Sequence, residues 1–113
     1  MRHVYVAAGD TGPDKVGCST NLPSRELALQ FYHKGEGSLK IVAAFAVGDK
    51  AILVERLAHL ALWPHRTKGE WFDVSTEAAV KAITNAIMIA QREDAPLGPH
   101  TRSLLIANSN PCA

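Results

Sequence analysis

Cysteine is scarce: Cys18 and Cys112 are the two, and neither belongs to a CxxC pair or a Cys/His ligand spacing. That argues against a zinc module and against a disulfide-stapled secreted scaffold, and it fits a reducing, cytoplasmic setting. An excess of charge of one sign is lacking as well, since 12 Lys+Arg stand against 11 Asp+Glu for a formal net charge of +1. Bulk charge therefore marks neither a nucleic-acid binder, a membrane-surface protein nor an acidic disordered tail; a polyanion would have to be met by locally placed basic residues. Long apolar runs are missing too. Val4 to Ala8 is ended by Gly9 and Asp10 and is too short for a signal peptide. Ile41 to Val47 is stopped by Gly48, Asp49 and Lys50, well short of the ~20 residues of a membrane helix. No internal repeat points to a solenoid. What remains is 113 residues with 47% hydrophobic and 20% charged content, enough for one domain and its core but not for two.

His3 to Ala8 is β-branched and aromatic in character, and Gly9-Asp10-Thr11-Gly12-Pro13-Asp14 is a dense cluster of turn formers before a second short strand, Lys15 to Ser19. Such a hairpin cannot bury its apolar face alone. Asn21 is a good N-cap, Pro23 suits a first turn and Glu26 favours the N-terminal dipole, so helix one is expected over about 22–33, with Leu22, Leu27, Leu29 and Phe31 as its apolar positions and Gly35 and Gly37 as its stop. The continuously apolar run Leu39 to Val47 reads as a buried third strand. Asp49 is placed to cap helix two, 50–62, with Leu53, Leu57, Leu60 and Ala61 at helical spacing and Pro64 just beyond. Gly69 to Val74 suits a bridge or short strand, and Ser75 caps helix three, 76–92, whose Ala79, Ile83, Ala86, Ile87 and Ala90 form one apolar stripe. The order is β-β-α-β-α-α, an α+β arrangement around a small antiparallel sheet. Residues 1–92 would form the domain. The stretch 93–113, with its short run Leu104-Leu105-Ile106, is expected to be a loosely ordered tail.

Four side chains could be brought together by these elements: Tyr5 on strand one, Lys15 across the hairpin, Arg25 on the first turn of helix one and Glu55 within helix two. A phenol, an ammonium, a guanidinium and a carboxylate on one cleft suit metal-assisted cleavage of a phosphodiester, with the carboxylate holding Mg²⁺ and the cations stabilising the phosphorane. Each also has a plain structural reading: a packed strand tyrosine, a solvated lysine, an arginine paired with a local acid, and a glutamate pairing along its helix with His59 or contacting Lys50 or Arg56.

The order of short motifs resembles the GIY-YIG endonuclease superfamily. Val4-Tyr5-Val6 stands where that family has Gly-Ile-Tyr, Lys15-Val16-Gly17 where it has Tyr-Ile-Gly, Asn21 to Arg25 where its arginine lies, and Ala51 to Glu55 where its metal-binding glutamate lies. Gly12 to Ser19, the Glu55 to His59 spacing, Arg66 and Gly69-Glu70-Trp71-Phe72 are similar to a phage and bacterial branch with a GEWF signature. The likeness spans about residues 3–92. It implies a three-stranded antiparallel sheet flanked by three helices, and a metal-dependent DNA endonuclease of phage or mobile-element type, working in the cytoplasm of a bacterial host.

The resemblance also implies roles. Glu55 would hold Mg²⁺ or Mn²⁺, Arg25 would stabilise the scissile phosphate and Tyr5 would lie near the attacking water. Gly17, His59 and Glu70 would support them, Glu70 by orienting Arg25 or His59, while Trp71 and Phe72 close the core. Lys15 occupies the place of the second tyrosine. A cation there is expected either to lower the pKa of Tyr5, so that Tyr5 serves as the base, or to be desolvated enough to serve itself; the first is favoured by the short distance across a hairpin. The family's histidine after the arginine is Leu29 here, and its asparagine after helix two is not evident. DNA is the implied partner, with no membrane, and a protein partner or a homo-oligomer would supply specificity that 113 residues at +1 lack. Lys34 and Lys40 are expected to add positive charge near the cleft. The alternative is a catalytically inactive nucleic-acid-binding or interaction module of the same fold.

Overall fold

A computed structural model describes residues 1–32 and 39–92. Strands β1 (His3–Ala8) and β2 (Asp14–Ser19) form the expected hairpin, paired from His3 with Ser19 to Ala7 with Lys15. Helix α1 (Leu22–Tyr32) follows, then β3 (Lys40–Ala46), α2 (Ala51–Leu62), β4 (Arg66–Lys68), β5 (Trp71–Phe72) and α3 (Thr76–Arg92). Single 3₁₀ turns at Gly48–Lys50 and Trp63–His65 flank α2. The expected stop at Gly35 and Gly37, Lys34 and the tail 93–113 lie outside the described residues.

The sheet has five strands rather than three, in the order β3-β1-β2-β5-β4, every neighbouring pair antiparallel. The two extra strands are only three and two residues long, and β4 is a fully exposed Arg-Thr-Lys, so neither carries a period-2 apolar signal. They exist because Gly69, at φ +54, makes a two-residue turn that pairs Lys68 with Trp71. Once turned, β5 docks on β2 through Asp14 with Phe72 and Lys15 with Trp71.

The strand β3 also departs from the expectation of full burial. Its exposure alternates, Val42 is 50% exposed, and it is an edge strand of the sheet. Its composition is apolar because one face packs on the core while the other meets α1 only in part.

The sheet separates two cores. On one side Val4, Val6, Val16 and Phe72 pack against Ala51, Val54, Ala58, Ala79, Ile83, Ala86 and Ala90 of α2 and α3. Alanines on both helices let them pack closely, and fully burying one large side chain such as Phe72 is worth roughly 1.5–3 kcal/mol. The other side is thinner: Tyr5, Ala7 and Leu39, with Leu22 and Leu29 of α1 and with Trp71. Leu27 and Phe31 were expected to join it and are instead 68% and 81% exposed.

Two caps are as the sequence indicates. Asn21 Oδ1 accepts from Ser24 N, and Ser75 Oγ accepts from Ala78 N. Asp49 is not a cap: it sits inside the 3₁₀ turn, and α2 begins at Ala51 without a side-chain cap bond. The buried face of α2 runs through Ala51, Val54, Glu55, Ala58 and Leu62, whereas Leu60 is 40% exposed. Cys18 is disulfide-bonded rather than a free thiol. No helix among the described residues is long and apolar enough to cross a membrane.

Candidate functional site

The site forms where β5 stops. Along β2, Val16 turns its amide and its carbonyl to the same side, and the amide bonds Glu70 O across to the β4–β5 turn. In a regular antiparallel ladder the partner strand would return a bond to this carbonyl. Instead His59 of α2 donates from Nε2 to Val16 O at 2.7 Å. Because a carbonyl only accepts, Nε2 must carry the hydrogen, which leaves Nδ1 as the acceptor. This bond brings α2 against β2 beside Gly17, and Glu55 lies one helical turn earlier on the same helix.

Strand alternation sets the other face. Tyr5 pairs with Gly17 and Ala7 with Lys15, so Tyr5, Lys15 and Gly17 share one side of the sheet. The Tyr5 ring fills the space over Gly17: a Cβ there would come within 2.6 Å of Tyr5 Oη. Gly17 is thus required by close approach rather than by its backbone angle. Lys15 Nζ meets Glu70 Oε2 at 3.7 Å, with both side chains mostly covered.

The electrostatics tie these groups together. Tyr5 is 1% exposed, and burial pushes its phenol well above its ordinary value; Arg25 opposes this, while Glu70 and Glu55 add to it. Glu55 is fully buried, and its carboxyl is pushed up to about 8, first by burial and then by Glu70, with Lys15 and Arg56 pulling it down. Burial lowers His59, and it also senses Glu70, Arg66 and Lys15. Tyr5, Lys15, Arg25 and Glu55, the four sequence candidates, therefore share one electrostatic neighbourhood with Gly17, His59 and Glu70.

Glu70 has Lys15 as an ion-pair partner. Two expectations change. The phenol of Tyr5 is not made more acidic by Lys15: desolvation dominates, and the cation that acts on it is Arg25. Lys40, at the start of edge strand β3, is not among the charges that shift Tyr5, Glu55 or His59. One feature escaped the sequence pattern: the Val16 carbonyl is backbone and has no residue signature. Trp71 and Phe72 do close the two cores, Phe72 at 0% exposure and with its ring 5.1 Å from that of His59.

Compared with known families, residues 2–87 match the T5orf172 domain. The chain belongs to the T5orf172 domain family. This is a phage-associated domain of a nuclease-related group. No curated protein and no solved structure matches. The T5orf172 match takes in the whole hairpin, α1, β3, α2, the β4–β5 turn and most of α3, and so every candidate residue.

Proposed function

We propose that this T5orf172 domain is a metal-dependent endonuclease that hydrolyses DNA phosphodiesters by GIY-YIG-type chemistry. The observation that carries the reading is the gathering of a phenol, an ammonium, a guanidinium and a carboxylate, with an imidazole, at one edge of β2.

Glu55 fits a hard divalent cation. Its carboxylate is costly as a bare anion because it is buried and faces Glu70, a cost that a bound cation would relieve. Among the described residues no group of three or more His, Cys, Asp or Glu is placed to cage a metal, which suits Mg²⁺ or Mn²⁺ held by one carboxylate with water completing the shell. When bound, the ion would polarise a phosphoryl oxygen and help neutralise the pentavalent charge.

The chain supplies the rest. Arg25 and Lys15 stabilise the non-bridging oxygens as the phosphorane forms, and the scissile phosphate takes Lys15 over from Glu70. Tyr5, held protonated by burial, donates its hydroxyl hydrogen to the reacting oxygens and orients the attacking water. The proton of that water goes to His59: burial keeps the imidazole neutral near pH 7, and with Nε2–H committed to Val16 O the lone pair is on Nδ1. Water adds to phosphorus, the P–O bond to the leaving strand breaks, and the leaving oxygen is protonated from solvent.

A second reading rests on the same residues: the pairing of Lys15 with Glu70 and the burial of Tyr5 and Glu55 also suit a module that binds nucleic acid without cutting it. Supercoiled and branched DNA incubated with the protein and Mg²⁺ separates the two. The nuclease reading expects nicking that Glu55→Gln abolishes; no nicking, or nicking that survives that change, sinks it.

A further inference from the structure

The geometry points to a binding track for an unpaired DNA strand on the β4–β5 hairpin, running from Trp63 past Arg66 and Lys68 to the Lys15–Glu70 pair. The inference rests on the nuclease reading and adds to it where the substrate strand lies. Residues 63–68, Trp-Pro-His-Arg-Thr-Lys, are all exposed. Trp63 is 50% exposed, unusual for the largest side chain in a domain whose other tryptophan packs into the core. The Arg66 guanidinium lies over its ring at 4.7 Å and is fixed there by a bond from Nε to Gly69 O at 2.9 Å. A cation stacked on a half-exposed indole offers a base a stacking platform and a phosphate a counter-charge together.

The track leads into the site. Lys68 pairs with Trp71, and Trp71 with Lys15, so three neighbouring strands carry Lys68, Trp71 and Lys15 in register. Arg66 is close enough for its charge to act on His59. Of the acids near this line, Glu70 is paired with Lys15, while the Asp73 amide bonds His65 O beside the Trp63 end. A net charge of +1 is no obstacle to such a track, because phosphate contacts depend on where the cations stand.

The strand is an unpaired one because an indole lying open beside the cleft stacks on a base face, which a duplex does not present. The test uses the full chain carrying Glu55→Gln, so that DNA survives the measurement, and a fluorescein-labelled single strand and its duplex followed by anisotropy. The single strand binds more tightly than the duplex. Trp63→Ala weakens it roughly tenfold, Trp63→Phe restores most of that loss, and Lys68→Ala weakens it several-fold while reducing the salt slope by about 0.7. Tighter duplex binding, or single-strand affinity and salt slope unchanged in Trp63→Ala and Lys68→Ala, overturns the track. If the variants bind as the parent while the unmodified chain still nicks DNA, the track alone fails. If the unmodified chain neither nicks nor binds DNA, the nuclease reading fails with it.

Discussion

Tyr5 and Gly17 show how one residue's absence of a side chain makes room for another's chemistry. The phenol lies where a Gly17 Cβ would be, so Gly17→Ala forces either the ring or the strand to move. We expect that change to cost about 1–3 kcal/mol, read as a fall in melting temperature, and to reduce nicking further than the stability loss explains. Glu55 gives a second residue-level outcome. Folding raises its pKa from an ordinary 4.5 to about 8, so the folded state holds the proton more tightly than the unfolded one. The resulting stability is fully present below pH ~4.5 and is lost as pH rises through ~8. Glu55→Gln removes the titration. Its melting temperature, compared with the parent's between pH 5 and 8.5, should gain steadily, amounting to a few kcal/mol at about 1.4 kcal/mol per pKa unit. A constant difference across that range would mean that Glu55 is not a buried acid. The nearness of Tyr5, Lys15, Arg25 and Glu55 was expected from the order of the elements that carry them and from the likeness to the GIY-YIG superfamily, and each of those elements has a local sequence pattern of its own. The Lys15–Glu70 pair was not expected, because it depends on a turn at Gly69 that places residue 70 beside residue 15.

At the level of elements, legibility follows length. The caps at Asn21 and Ser75 and the 17-residue helix α3 were readable from local chemistry and a long apolar period. The strands β4 and β5 were not, being too short to show a period and held by pairing with β2. Strand β3 was readable as a strand but not as an edge, since apolar content says nothing of which neighbour is missing. The N-terminus of α3 has a tether that no local pattern signals: Thr76 Oγ1 donates to Asp14 Oδ2 at 2.7 Å, and Asp14 is only 5% exposed. Thr76→Val leaves that carboxylate buried without its donor, and chemical denaturation should show a loss of about 1–3 kcal/mol. Asp14→Asn in the same background should recover part of it, because a neutral side chain is cheaper to bury.

For the molecule as a whole, two cores share one five-stranded sheet, and the site lies on its inner strands β1 and β2, where the His59 side chain of α2 meets the Val16 carbonyl just past the β5 pairing. Near-neutral net charge is then a matter of distribution: Arg25, Lys15 and Arg66 act on the site groups while acids elsewhere balance the total. Two titrations shape the pH profile of nicking. His59 loses its proton below its ordinary 6.5, whereas Glu55 gives up its own near 8 when no metal is bound. At subsaturating Mg²⁺ the rate should therefore climb from pH 6 to about 8 and then level off, and at saturating Mg²⁺ the climb should shift to lower pH. The central claim, that Glu55 anchors a divalent cation within this cluster, is tested most directly by Mn²⁺ binding followed by electron paramagnetic resonance. We predict one site per chain, an affinity rising about tenfold per pH unit below pH ~8 as one proton is released, and loss of the site in Glu55→Gln. A Mn²⁺ site unchanged by that substitution, or none in the parent protein, would contradict the account.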